Sequence, residues 1–141
     1  MTLPPRVDHD LARLAAQTLD SLRDQRTGKV PGEVITRLTG LPALLRTSGP
    51  LATLAFFASK AGGDKPLPRA YAAVGSAFQA QVAGELGLTL EENAPFAGFV
   101  LRLTGETIPP EALARATARL EEFALWLRRL AEAVEQEQAR A

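Results

Sequence analysis

The stretch IPPEALARATARLEEFALWLRRLAEAV, residues 108–134, decides the fold of this chain. Its apolar residues recur at alternating steps of three and four, which is the spacing of one face of an α-helix. They are Leu113, Ala116, Leu120, Phe123, Leu127, Leu130 and Val134. The pattern predicts a helix roughly 40 Å long, entered through Pro109 and Pro110 and able to brace a whole bundle.

Working back from this helix, glycine and proline residues divide the rest of the chain into shorter segments with helical spacing. The predicted helices cover about residues 8–26, 31–45, 50–60, 67–86 and 95–103. Asp8 is the expected N-cap of the first helix, and Gly40 with Pro42 predicts a kink or break in the second. Residues 50–60 are apolar nearly all round, which predicts a position at the centre of the domain.

No segment shows the strict alternation of a strand, and the turns between helical segments are short. We therefore expect an all-α fold, in which residues 1–141 form a single domain built as a bundle of about six helices with a long C-terminal helix.

The composition is that of a folded protein without disulfides. Hydrophobic residues make up 46% of the chain and charged residues 23%, and cysteine is absent. The N-terminus has no basic segment followed by an apolar stretch, so it does not predict a secretion signal. No apolar run approaches the roughly 20 residues that span a bilayer. We expect a cytoplasmic protein with no membrane anchor.

The formal net charge of zero hides an uneven distribution. Basic residues outnumber acidic ones between residues 26 and 69, and the balance reverses from residue 82 onward. The candidate binding residues are Arg46, Lys60, Lys65 and Arg69, with Arg37 as a weaker candidate. Cations held on one side of a rigid scaffold without acidic neighbours bind phosphates, so these residues predict a surface for a polyanion. The alternative is an ordinary solvated surface of mixed charge.

Catalytic patterns do not emerge from the sequence. His9 is the sole histidine and has no partner for metal binding or proton transfer. The carboxylate pairs Glu91-Glu92 and Glu121-Glu122 are sequence neighbours, which diverge by about 100° on a helix and therefore predict solvated surface. No phosphate-binding loop, dinucleotide fingerprint or zinc pattern is present. We expect neither an enzyme nor a bound cofactor or metal.

Trp126 beside Arg128 and Arg129 offers a second candidate for nucleic-acid binding, through a stacking ring with flanking guanidinium groups. Packing is the preferred interpretation, because Trp126 adjoins the apolar face of the long helix and the arginines have glutamates one turn away, such as Glu132.

Two segments resemble a known family. LPALLRTSGPLATLAFFASK, residues 41–60, is similar to the hallmark of the small helical subunit of the type III-B CRISPR effector, the Cmr complex. EFALWLRRLAEA, residues 122–133, resembles the final helix of that family, and the chain length and helix order agree. Pro50 replaces a usual leucine and Ser48 a frequent asparagine, both at a helix start where proline is tolerated.

The resemblance implies a non-catalytic subunit of an antiviral ribonucleoprotein. Members of the family stack beside the backbone subunits that hold the guide RNA, and they line the channel in which target RNA pairs with the guide. Cleavage belongs to the backbone subunits. The implied partners are the other Cmr subunits, the guide RNA, the target RNA and further copies of the same chain. The implied RNA-binding residues are Arg46, Lys60, Lys65, Arg69 and Arg37, acting on phosphates while guide pairing supplies sequence.

Other functions stay open at this point. The chain could be the small subunit of the related type III-A complex, or a free-standing helical DNA-binding regulator. The regulator requires a polar second helix that reads bases, whereas residues 50–60 are apolar. A ribonuclease is the least favoured alternative.

Overall fold

The computed structural model describes residues 7–90, 96–105 and 107–140. Within these residues the chain forms six α-helices and no strand, which confirms the predicted all-α bundle. The helices are α1 (Val7–Asp20), α2 (Gly32–Thr39), α3 (Leu41–Lys60), α4 (Pro66–Leu86), α5 (Phe96–Thr104) and α6 (Pro110–Arg140).

Helix α6 is the centre of the bundle. Its 31 residues would rise about 46 Å at 1.5 Å per residue, and they pack against α1, α2, α3 and α4. Leu120, Phe123 and Leu127 are fully buried, and Ala124 and Ala131 lie beside them where neighbouring helices approach. The predicted apolar face is therefore confirmed, with Leu113 and Leu130 half-buried at its edges.

The prediction that residues 50–60 lie at the centre is wrong. Leu54 and Phe57 are buried, but Ala52, Ala55 and Ser59 are exposed. Alanine raises the apolar count of a helix without requiring burial, so the segment reads as apolar all round while burying one face. It is an outer helix whose inner side packs on α4 and α6.

Two glycines shape the segment between α2 and α4. Gly40 separates α2 from α3, as predicted. Gly49 interrupts α3 with φ 82° and ψ 169°, a backbone conformation that L side chains rarely adopt, and Pro50 opens the second half of the helix. The buried Thr53 hydroxyl donates to the Gly49 carbonyl at 2.7 Å. Residues 41–48 and 50–60 are thus two helical segments joined by a kink.

Helix α1 ends at Asp20, six residues earlier than the predicted end at Arg26, and it begins at Val7, so Asp8 lies within it and is not its N-cap. In the connector that follows, the Asp24 carboxylate accepts the backbone N–H groups of Arg26 at 2.7 Å and Thr27 at 3.1 Å, and this bonding favours a turn over further helix. Leu22 is nevertheless buried, so the connector packs on the core.

The end of this connector is fixed to α6 by one side chain. Gln138 Oε1 accepts the backbone N–H of Val30 at 2.7 Å, and Gln138 Nε2 donates to the Val30 carbonyl at 3.1 Å. Val30 itself is 1% exposed. Both backbone groups of a buried residue are therefore satisfied by a residue 108 positions away.

Helices α4 and α5 match their predictions closely. Helix α4 ends at Leu86, and Gly87 follows with φ 69° in the left-handed C-cap position. Helix α5 buries Phe99 and Leu103. The predicted start of α5 at Pro95, the pair Glu91-Glu92 and the proline lead before Asp8 lie outside the described residues.

Candidate nucleic-acid interface

The five basic residues predicted as a binding surface are all exposed, and they occupy three consecutive helices. Arg37 lies in the last turn of α2, and Arg46 lies in the first half of α3. Lys60 is the last residue of α3, Lys65 immediately precedes α4, and Arg69 lies in the first turn of α4.

None of the five has a carboxylate within 4.0 Å among the residues that the structure describes. The ion pairs of that part of the chain lie elsewhere. They are Arg23 with Asp20 at 2.7 Å, Arg115 with Glu85 at 3.5 Å and Arg128 with Glu132 at 2.8 Å. The predicted residues are therefore available to an external anion, whereas part of the acidic C-terminal region is internally neutralised.

A row of aromatic rings runs from the surface of α3 into the core. Phe56 packs edge-to-face on Tyr71, with ring centroids 5.5 Å apart and planes at 90°. Phe57 contacts Tyr71 at 5.8 Å and Phe78 at 5.4 Å, and Phe78 contacts Phe123 of α6 at 5.8 Å. Phe57 is 2% exposed and Phe56 is 36% exposed, so the outermost ring of the row is partly exposed to solvent.

Two of the predicted cations flank these rings. The Lys60 Nζ lies 6.0 Å from the centroid of the Phe56 ring, one helical turn away on the same helix. Arg37 lines a small hollow between α2, α3 and α4, together with Phe57 and Tyr71. Arg37 from α2 and Lys60 from α3 are therefore linked through the contacting rings of Phe56, Phe57 and Tyr71. We call the group formed by Arg37, Phe56, Lys60 and Tyr71 the aromatic-basic patch.

Arg69 faces another side of α4. It lies two positions from Tyr71, and residues two apart on a helix do not share a face. Arg69 lines a separate shallow depression with Ser21, Leu22 and Gly63. The pKa of Asp24 in the α1–α2 connector is lowered, first by the backbone N–H groups of Thr27 and Arg26 and then by the positive charges of Arg26 and Arg69. The Arg69 charge is the smallest of these influences on the carboxylate.

Lys65 and Arg46 occupy two further positions. Lys65 is the N-cap residue of α4, and its carbonyl accepts the N–H of Arg69 at 3.1 Å. It follows Lys60 across the α3–α4 turn. Arg46 lies beyond the Gly49 kink, and residues 50–60 separate that kink from Lys60 by a rise of about 16 Å. Arg46 therefore marks a second point along the surface and does not adjoin the aromatic-basic patch.

The sequence analysis missed the role of Phe56 in this patch. Phe56 was included with Phe57 in the apolar character of residues 50–60, although neighbours on a helix point about 100° apart and cannot both face one core. The spacing of Phe56 and Lys60, four residues apart, is the signal that could have identified an exposed ring beside a cation.

Trp126 and His9 lie where the sequence predicted them. Trp126 is half-buried against the core, with the Arg129 guanidinium 6.0 Å from its ring, and Arg128 pairs with Glu132. His9 is exposed, and its Nε2 lies 3.4 Å from Nη2 of Arg13. Among the described residues, no three His, Cys, Asp or Glu side chains are grouped so that they could hold a metal ion. No helix in the same residues is long and apolar enough to cross a membrane.

A comparison with protein families identifies the chain. The model of the family described as CRISPR-associated protein (Cas_Cmr5) matches residues 8–134, which span most of the sequence. No curated protein and no solved structure matches the chain. The family match agrees with the helix order, the long final helix and the resemblance of residues 41–60 and 122–133. The chain therefore belongs to the Cas_Cmr5 family and is a small subunit of the type III-B CRISPR effector, the Cmr complex.

Proposed function

We propose that this chain is a non-catalytic subunit that stacks beside the backbone subunits of the Cmr complex and lines the channel for target RNA. The observation that carries the proposal is the set of exposed cations on α2, α3 and α4 that have no carboxylate partner among the described residues. A cation already paired with a carboxylate loses that pairing when it binds a phosphate, whereas Arg37, Arg46, Lys60 and Lys65 have no such pairing to lose among the described residues.

The chemistry of such a surface is electrostatic. Lysine and arginine side chains neutralise phosphates and release the counterions that surround RNA, which gives affinity without reading the bases. Sequence specificity then comes from pairing between guide and target. Because Arg37, Arg46, Lys60 and Lys65 are spread over consecutive helices, they can follow a strand over several nucleotides.

The test is charge reversal in the assembled complex. We expect the triple variant Arg46→Glu, Lys60→Glu, Lys65→Glu to retain target RNA less strongly than the wild-type complex, with the difference largest at low salt. If each side chain contacts one phosphate, neutralising all three with glutamine lowers the slope of log affinity against log salt by about 2, at roughly 0.7 per phosphate on a single strand.

A matched control carries the same change in net charge on another part of the molecule. Arg115→Glu, Arg128→Glu, Arg140→Glu alters three exposed arginines of α6, two of which belong to surface ion pairs of small energetic value. Circular dichroism of each isolated variant verifies that the helices are intact. If the Arg46, Lys60, Lys65 variant retained RNA normally at every salt concentration, these three side chains would not bind RNA and would belong to an ordinary solvated surface.

The free-standing DNA-binding regulator gains no support from the fold. The solvent side of residues 50–60 presents Ala52, Ala55, Phe56 and Ser59 before Lys60. A base-reading helix needs polar side chains there to reach the edges of base pairs in the major groove. Purified protein that bound duplex DNA sequence-selectively would reverse this conclusion.

A further inference from the structure

We infer that the aromatic-basic patch binds an unpaired RNA base on the face of Phe56, with the phosphate of the same nucleotide held by Lys60. The inference rests on the proposed function, which assigns phosphates to the cations, and it adds a base contact that the cations alone do not provide.

The exposure of Phe56 is the first observation. Among the described residues, Phe56 and Leu101 are the large hydrophobic side chains that remain exposed. Phe57, its neighbour, already fills the core at this level of α3. Phe57 thus supplies the buried ring at this level of α3, while Phe56 remains partly exposed and contacts Phe57 and Tyr71 from outside the core.

The ring is also held in place. Tyr71 packs edge-to-face against Phe56 at 5.5 Å, and Tyr71 is itself fixed by Phe57 at 5.8 Å. Such aromatic pairs favour this perpendicular arrangement, because the positive edge of one ring meets the negative face of the other. A flat ligand would thus meet a ring whose orientation is already set, so little side-chain entropy is lost on binding.

The surrounding charge selects the class of ligand. The Lys60 Nζ lies 6.0 Å from the Phe56 centroid. Arg37 lines a small hollow together with Phe57 and Tyr71, the two rings that Phe56 contacts. Neither cation has a carboxylate partner among the residues described. An acidic peptide would satisfy the cations and leave the ring unused. A nucleotide carries a flat π-system and a phosphate close together, and it complements both features.

The base must be unpaired and is not selected by identity. In a duplex each base is covered by its neighbours on both faces, so only a single-stranded or extruded base can cover Phe56. Every base has a π-face, and stacking on an aromatic side chain is therefore tolerant of sequence. Lys60 is exposed and its side chain is flexible, so it can leave the ring face for the phosphate when a base arrives.

The test uses reconstituted Cmr complex and a labelled target RNA that is complementary to the guide and has single-stranded extensions at both ends. Phe56→Leu keeps an apolar side chain and removes the ring. We expect it to weaken RNA retention by about 5- to 150-fold, the range that loss of one stacked base gives, with the salt slope unchanged. Phe56→Trp should restore wild-type affinity. Leu101→Ala, at the other exposed hydrophobic residue, is the matched control and should have no effect.

The outcomes separate this inference from the proposed function. If Phe56→Leu retains RNA as the wild type does, while the triple charge variant loses it, the stacking site is refuted and the proposed function survives. If Phe56→Leu lowers the amount of this subunit in the purified complex and leaves RNA affinity per complex unchanged, the ring is a protein contact and the inference is refuted. If neither variant affects RNA retention, both proposals fail.

Discussion

Alanine in place of Gly49 at the kink should lower the stability of the protein, whereas alanine in place of a second, helical glycine should raise it. Gly49 has φ 82° and ψ 169°, in a region of backbone conformation that is essentially restricted to glycine. A Cβ at this position would meet no atom within 4 Å, so the penalty for alanine comes from the backbone alone. We expect Gly49→Ala to lower the free energy of unfolding by about 1–3 kcal/mol, the usual cost of holding a residue in such a conformation.

Gly84 provides the matched control. It lies in α4 with ordinary helical backbone angles, is exposed, and a Cβ there would also meet nothing within 4 Å. Alanine loses less conformational entropy than glycine when a helix forms, so Gly84→Ala should raise the free energy of unfolding by about 0.5–1 kcal/mol.

Thermal unfolding followed by far-ultraviolet circular dichroism measures both changes. For a chain of this size 1 kcal/mol corresponds to a Tm shift of roughly 4 °C. We therefore expect Gly49→Ala to melt about 4–12 °C below the wild type, and Gly84→Ala to melt about 2–4 °C above it. A Gly49→Ala protein as stable as the wild type would refute the argument, because it would show that the kink does not depend on a positive φ.

Two further predictions concern the α1–α2 connector. Gln138→Ala removes the partners of the N–H and C=O of buried Val30, so it should lower the free energy of unfolding, measured by chemical denaturation, by about 1–3 kcal/mol. Gln136→Ala, on the exposed side of the same turn, should change that free energy by less than about 0.5 kcal/mol. Equal stability of the two variants would contradict the role of Gln138. Asp24→Asn should be less stable than the wild type at neutral pH and equally stable in acid, because a carboxyl group whose pKa is lowered on folding stabilises above its unfolded pKa and loses that contribution as pH falls through the folded value. Unfolding curves over a pH series measure this gap, and a gap independent of pH would show that the Asp24 charge plays no part.

Much of the fold could be predicted from glycine, proline and apolar spacing. The long helix α6 was predicted because its apolar residues repeat over many turns, and the end of α4 because Gly87 follows a run of helix formers. The end of α1 was placed at Arg26 because the apolar spacing continues to Leu22. The competing bonds from the Asp24 side chain to Arg26 and Thr27 are local, but nothing in the spacing indicates that they form.

The sequence predicted which basic residues belong to the candidate site, but it did not predict how they are grouped on the surface. Charge asymmetry identified the cations on α2, α3 and α4. Their grouping depends on how α2 and α4 pack against α3, which places Arg37 and Lys60 beside one row of rings and Arg69 in a separate depression. Contacts between helices that are distant in the chain cannot be predicted from local sequence patterns. The match of the Cas_Cmr5 family to residues 8–134 confirmed the resemblance on which the assignment to the Cmr complex was based.

The position of α6 has a consequence for how the protein is made. The helix that contacts α1, α2, α3 and α4 is the last of the six to be synthesised, so its partners leave the ribosome before the helix they pack on exists. The backbone N–H and C=O of Val30 gain their native hydrogen-bond partner only after Gln138, 108 residues later, has been synthesised. The faces of the earlier helices that pack on α6 are therefore exposed during translation, and they are covered only after nearly the whole chain has emerged. Truncation within α6 should leave a chain that does not fold and is a substrate for chaperones and proteases.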